Sequence, residues 1–128
     1  MRKILLIDDD EDDAEVFKEA IREVDPDAVV FWYSGCETKN FIIEKQIPLS
    51  DIIFLDINMP ALTGWDCLKI FRESEEYKNV PIIMYTTSSR PREREIAKEL
   101  GATDFITKPT DYRLLIKTLA NILGVWCE

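Results

Sequence analysis

The 128-residue, 46% hydrophobic chain suits one globular domain that buries roughly two thirds of its unfolded surface, with no room for a second. A formal charge of -9 sets up a field that repels phosphate backbones and anionic lipid, which argues against direct nucleic-acid or membrane partners and favours basic protein surfaces. The absence of His removes the commonest general base and the commonest transition-metal ligand, so any metal is expected to be hard and oxygen-bound.

Short apolar runs alternate with longer stretches of helical period, five of each. The first strand is expected from Lys3 to Ile7, followed by a helix whose Ala14, Phe17, Ala20, Ile21 and Val24 recur on one face until Asp25-Pro26 stops it. A second strand, Ala28 to Tyr33, leads to a helix over about Cys36 to Lys45. The third strand, Asp51 to Leu55, precedes a Pro60-containing turn and a helix after Gly64 that carries Trp65, Leu68, Ile70 and Phe71. The fourth, Pro81 to Tyr85, precedes a helix opened by Pro91 at its first position and closed before Gly101. The fifth, Asp104 to Thr107, leads to a last helix from about Asp111 to Leu123, with Leu114, Leu115, Thr118, Leu119 and Ile122 facing inward.

Strict alternation of strand and helix implies right-handed crossovers and a parallel sheet covered on both faces. Ligands of such α/β sheets bind beyond the carboxyl ends of the strands, where strand order reverses. The polar residues gather there: Asp8 and Asp9 after strand one, Asp56 after strand three, Thr86 and Thr87 after strand four, Lys108 after strand five. If strands one and three are neighbours, at least three carboxylates converge and disfavour one another's charge, and a divalent cation is the natural remedy. By contrast, Asp10, Glu11, Asp12 and Asp13 read as solvated or helix-capping carboxylates. Trp32, Trp65 and Trp126 read as packing or surface residues. Cys36, Cys67 and Cys127 are odd in number and lack a CxxC pair, so they are expected as inert thiols in a reducing cytoplasm, with Cys127 exposed near the end. No signal peptide precedes Ile4, and no apolar run approaches the ~20 residues of a membrane span.

The segments Ile4 to Asp9, Asp51 to Pro60, Pro81 to Thr86 and Gly101 to Pro109, taken in order and spacing, resemble the receiver domain of bacterial two-component response regulators over the whole chain. The resemblance implies a flavodoxin-like doubly wound sheet of strand order 2-1-3-4-5 with five helices, as a single domain over residues 1–128 with no output domain. It also implies that Asp56 is a phosphoacceptor, that Asp8, Asp9, Asp56 and the Asn58 backbone carbonyl hold Mg²⁺, and that Lys108 neutralises charge beside Asp56. Thr86 and Phe105 are similar to the family's switch hydroxyl and switch aromatic, and the Lys108-Pro109 bond to one that is usually cis in the family.

The implied partners are a sensor histidine kinase or histidine phosphotransfer protein and a downstream protein, with the chain itself a monomer or weak dimer and not an enzyme. Phe105 stands where Tyr is frequent, and Thr87 where a smaller residue is common.

Three other readings compete. A Mg²⁺-dependent aspartyl-phosphate phosphatase or mutase also uses an Asp nucleophile, but usually carries a second Asp two residues on, where this chain has Asn58. Flavin binding would require phosphate-binding donors in the loop after strand one, which is acidic instead. A scaffold independent of phosphorylation gives no reason for the Asp, Thr and Lys set.

Overall fold

The computed structural model describes residues 1–38, 40–59 and 62–127. The described chain alternates β1 (Lys3–Ile7), α1 (Glu11–Val24), β2 (Val29–Tyr33), α2 (Phe41–Glu44), β3 (Ile52–Leu55), α3 (Gly64–Glu73), β4 (Ile82–Thr86), α4 (Pro91–Glu99), β5 (Asp104–Thr107) and α5 (Tyr112–Trp126). All four strand pairings are parallel and the order is β2-β1-β3-β4-β5. This is the parallel sheet that the alternating pattern implied, in the flavodoxin-like, doubly wound order that the resemblance implied.

The central strands are apolar on both faces because helices cover both. Leu5, Ile7, Ile53, Leu55, Met84 and Phe105 pack towards Phe41, Leu68 and Phe71 of α2 and α3. Their neighbours Ile4, Leu6, Ile52, Phe54, Ile83 and Tyr85 pack towards Phe17 of α1 and Leu119 of α5. Phe17 meets Phe54 and Tyr85 at ring-centroid distances of 5.0 and 5.5 Å, joining α1 to two strands.

Helix starts follow local chemistry. Asp10 caps α1 by accepting from the Asp13 N–H, and Thr63 and Asp66 form a reciprocal capping box at α3. Pro91 occupies the first turn of α4, where its missing N–H costs nothing. Arg72 of α3 donates to the carbonyls of Tyr77, Val80 and Gly101, tying together the turns before β4 and β5.

Several expectations need correction. The second helix spans only Phe41–Glu44, rather than about Cys36 to Lys45. The Thr38 hydroxyl accepts the Asn40 N–H in a local turn that competes with helix, and Gln46 takes a left-handed φ of 49° that ends it; Lys39 lies outside the described residues. The last helix runs on to Trp126, and Leu114 points outward at 52% exposure, while Leu123 is fully buried. β2 and β3 begin one residue later than expected, and β4 spans Ile82–Thr86 rather than Pro81 to Tyr85.

Cys36 and Cys67 form a disulfide, their Cα atoms 6.0 Å apart, and Cys127 is buried. Their separation of 31 positions hides the pairing from a spacing argument, and it removes the inference from unpaired thiols to a reducing compartment. The turn at Pro60 lies outside the described residues. No described helix is long and apolar enough to cross a membrane.

Candidate functional site

Register delivers the site. Ile7 pairs with Leu55, and the ladder continues one step beyond both strands: the Asp56 N–H donates to the Ile7 carbonyl at 2.9 Å, and the Asp8 N–H to the Tyr33 carbonyl at 3.1 Å. Asp8 and Asp56 therefore leave adjacent strands at the same level. Carboxylate oxygens of Asp8, Asp9 and Asp56 all lie within 4.8 Å of one another, with Asp8 and Asp56 buried and Asp9 exposed. Three hard oxygen donors so placed suit a small divalent cation, and the exposed Asp9 leaves the cluster open on one side.

Lys108 closes the opposite side. On β4 and β5, Thr86 pairs with Thr107, and the Lys108 N–H donates to the Thr86 carbonyl at 2.6 Å, which turns the lysine towards β1. Its Nζ donates to Asp8 Oδ2 at 2.7 Å and Asp13 Oδ2 at 2.9 Å, and stands 3.8 Å from Asp56 Oδ2. The lysine thus hydrogen-bonds Asp8 and Asp13 and holds Asp56 by charge alone. Tyr85 lies beneath it, the ring centroid 5.2 Å from Nζ.

Electrostatics distinguish the members of this cluster. Burial pushes the Asp56 carboxyl up to about 6; Lys108 opposes the rise, Asp8 adds to it, and the Ile57 and Asn58 N–H groups favour the anion. Burial thus makes the Asp56 carboxylate costly to keep charged, and added positive charge beside it would lower that cost. Burial also works against the Lys108 ammonium, but its hydrogen bonds to Asp8 and Asp13 and the nearby Asp56 outweigh that, so its pKa is raised.

The two oxygens of Asp56 have different surroundings. Oδ1 accepts the Ile57 N–H at 2.8 Å, whereas Oδ2 faces Lys108. Gly64 makes this corner possible: a Cβ there would collide with the Asp56 carbonyl oxygen and the Ile57 Cα, so any side chain would displace the loop.

Thr86 is fully buried at the end of β4, and its Oγ1 accepts the Ser88 N–H at 3.4 Å. Phe105 is 7% exposed, and the Arg94 guanidinium lies 4.9 Å from its ring centroid, with Nη1 donating to the Phe105 carbonyl at 3.3 Å. Asn58 is exposed in the loop after Asp56. No cis peptide occurs among the described residues, so Lys108-Pro109 is trans, contrary to the expectation from the resemblance; trans is the intrinsically favoured form by about 0.5–1 kcal/mol even before proline.

Two contributors were missed in the sequence. Asp13, read as a solvated or helix-capping carboxylate, pairs with Lys108; its place in the first turn of α1, just beyond strand one, was the available signal. Trp32, read as packing or surface, donates its indole N–H to the Asp8 carbonyl at 2.8 Å and so props the acidic loop from β2. Nothing in the local sequence marks that role.

A response regulator receiver domain model matches residues 4–120. The sensor kinase/phosphatase CqsS of Vibrio cholerae is 33% identical over 93% of this chain and 17% of its own length. The transcriptional regulatory protein CpxR of Escherichia coli is 32% identical, with 100% of this chain and 53% of CpxR aligned. The chain therefore spans about half or less of these curated relatives. Among solved structures, chemotaxis protein CheY4 of Vibrio cholerae superposes with a TM-score of 0.80 at 29% identity, covering 96% of this chain and 99% of that one. The Mn²⁺-bound response regulator Rcp1 shares the fold at a TM-score of 0.81 and 22% identity, over 100% of this chain and 96% of its own. With a family model spanning nearly all of its sheet and helices, the chain belongs to the response regulator receiver domains of two-component signalling.

Proposed function

We propose that the protein accepts a phosphoryl group on Asp56 from a phosphohistidine of a sensor kinase or histidine phosphotransfer protein, and thereby switches a surface made by α4, β5 and α5 for a downstream protein. The observation that carries this reading is the convergence of Asp8, Asp9 and Asp56 within 4.8 Å, beside a lysine from β5.

Asp56 Oδ2 is the oxygen suited to attack, because Oδ1 is held by the Ile57 N–H. Oδ2 forms a bond to phosphorus as the phosphorus–nitrogen bond breaks, and the imidazole leaves with the electron pair. Asp8, Asp9, Asp56 and the Asn58 backbone carbonyl would hold Mg²⁺, which would supply positive charge against the phosphoryl oxygens of a loose transition state. Lys108, already 3.8 Å from Oδ2, adds a second positive charge where the phosphoryl oxygens arrive.

The Thr86 hydroxyl, bonded only weakly to the Ser88 N–H, is free to turn to a phosphoryl oxygen, and Phe105 behind it responds to the space that Thr86 leaves. Phe105 already sits inward, which inclines the surface towards its signalling form. The group is transferred to and from this domain in the cytoplasm, a placement that rests on the family and not on the cysteines.

Incubation with a small acyl phosphate and Mg²⁺, followed by intact mass measurement, tests the reading. One added phosphoryl group that disappears in Asp56→Asn is expected; equal labelling of that variant would overturn the assignment.

A further inference from the structure

We propose that the groove between α2 and α3 docks a basic amphipathic helix of a partner protein. It lies away from the carboxylate cluster and has a volume of about 660 Å³. Its apolar lining comes from Ile42, Ile43, Leu62 and Ile70, of which Ile43 is 78% exposed. A β-branched apolar side chain left that open, beside three others, is an anchor looking for a surface.

The rim selects the partner. Among the described residues, Asp66, Glu73, Glu75 and Glu76 line the groove against one cation, Lys69, and of the four only Glu75 is ion-paired, with Lys78. Apolar floor with acidic walls complements an apolar ridge flanked by Lys or Arg, and it repels anionic lipid and nucleic acid.

The walls also select the partner's form. The described residues that line the groove come from α2, α3 and the loops beside them and from no strand, so they offer no strand edge for an extended peptide to pair with. Recognition must run through side chains, as when a helix lays residues spaced i, i+3 or i+4, and i+7 into a groove. A second copy of this chain would bring another net charge of -9 to the same acidic rim.

The test uses the full chain, isotopically labelled for amide NMR, titrated with a Leu/Lys amphipathic helical peptide and with its Leu/Glu counterpart. Expected are shifts confined to α2, α3 and the turn at Ser74 to Glu76 with the Leu/Lys peptide, and none with the Leu/Glu peptide. Ile43→Lys, and separately Glu73→Lys with Glu76→Lys, should weaken binding about tenfold or more without lowering thermal stability, since these side chains lie on the rim and open face. Shifts centred on Glu11 and Asp12 of α1, or undiminished binding to Ile43→Lys, would show diffuse attraction to an acidic protein and overturn the proposal. Equal binding of the Leu/Glu peptide would overturn it too, as would dilution-dependent shifts at the groove in the free chain, which would assign it to a second copy.

Discussion

The α1–α5 layer and the α4 layer cover the same sheet with very different grips. α1 and α5 sink Ala14, Phe17, Ala20, Ile21, Leu115, Leu119, Ile122 and Leu123 into one continuous cluster, whereas α4 buries only Ala97. α4 is held instead by contacts at its edges: the Arg94 guanidinium over Phe105, and the loop before it, whose Ser88 carbonyl accepts the Thr107 hydroxyl. Apolar burial stabilises by area and tolerates little displacement, while single polar contacts can be exchanged at small cost. The molecule thus fixes its acidic cluster against the firm layer and places Thr86 and Phe105 under the loose one.

The sharpest way to break this contrast is to remove the anchor of the firm layer. Phe17→Ala should cost about 3–5 kcal/mol, because Phe17 is fully buried and touches Phe54 and Tyr85. Urea denaturation measures it, and a loss below about 2 kcal/mol would mean that α1 is not the anchor. Next in size, Lys108→Met leaves Asp8 buried without its cation and should destabilise the metal-free protein by about 3 kcal/mol, partly restored by Mg²⁺. A denaturation midpoint unchanged from wild type in chelator would contradict that role.

Asp56→Asn should act in the opposite direction. The Asp56 carboxyl rises on folding from 3.8 to about 6, so between those values the native state binds more protons than the unfolded chain, and stability falls as pH rises through that window. Below about pH 4 the variant and wild type should match; above about pH 6, without metal, the variant should be more stable by about 2–3 kcal/mol. Thermal melts across this range in chelator check the sign, and a wild type that gains on the variant as pH rises would refute it. The smallest effect belongs to the loose layer: Arg94→Ala should cost only about 0.5–1 kcal/mol, yet speed amide exchange in α4 and β5. Unaltered exchange there would show that the guanidinium does not hold Phe105.

The same contrast explains what could be read in advance. β1, β3 and β5 were legible because apolar runs end in Asp8, Asp56 and Lys108, and a parallel sheet brings such ends together. Which ends meet depends on strand order, which the alternation left open and the resemblance implied. Features set by local competition or by side-chain reach were not legible. Thr38 diverts the chain from helix through its own hydroxyl, and α2 shrinks to four residues. Cys36, in the loop after β2, meets Cys67 of α3 across 31 positions of sequence. Lys108 prefers Asp8 and Asp13 to Asp56 by the geometry of its final approach, and the Trp32 indole finds the Asp8 carbonyl across 24 positions of sequence.

Amide hydrogen exchange of the intact chain, with and without a small acyl phosphate and Mg²⁺ and with Asp56→Asn as the reference, tests the central claim most directly. The account predicts altered protection in α4, β5 and the Thr86 to Arg90 loop, unchanged protection in α1, and no response in Asp56→Asn. A response of equal size in Asp56→Asn, or one that falls on α1 while α4 stays silent, would contradict it.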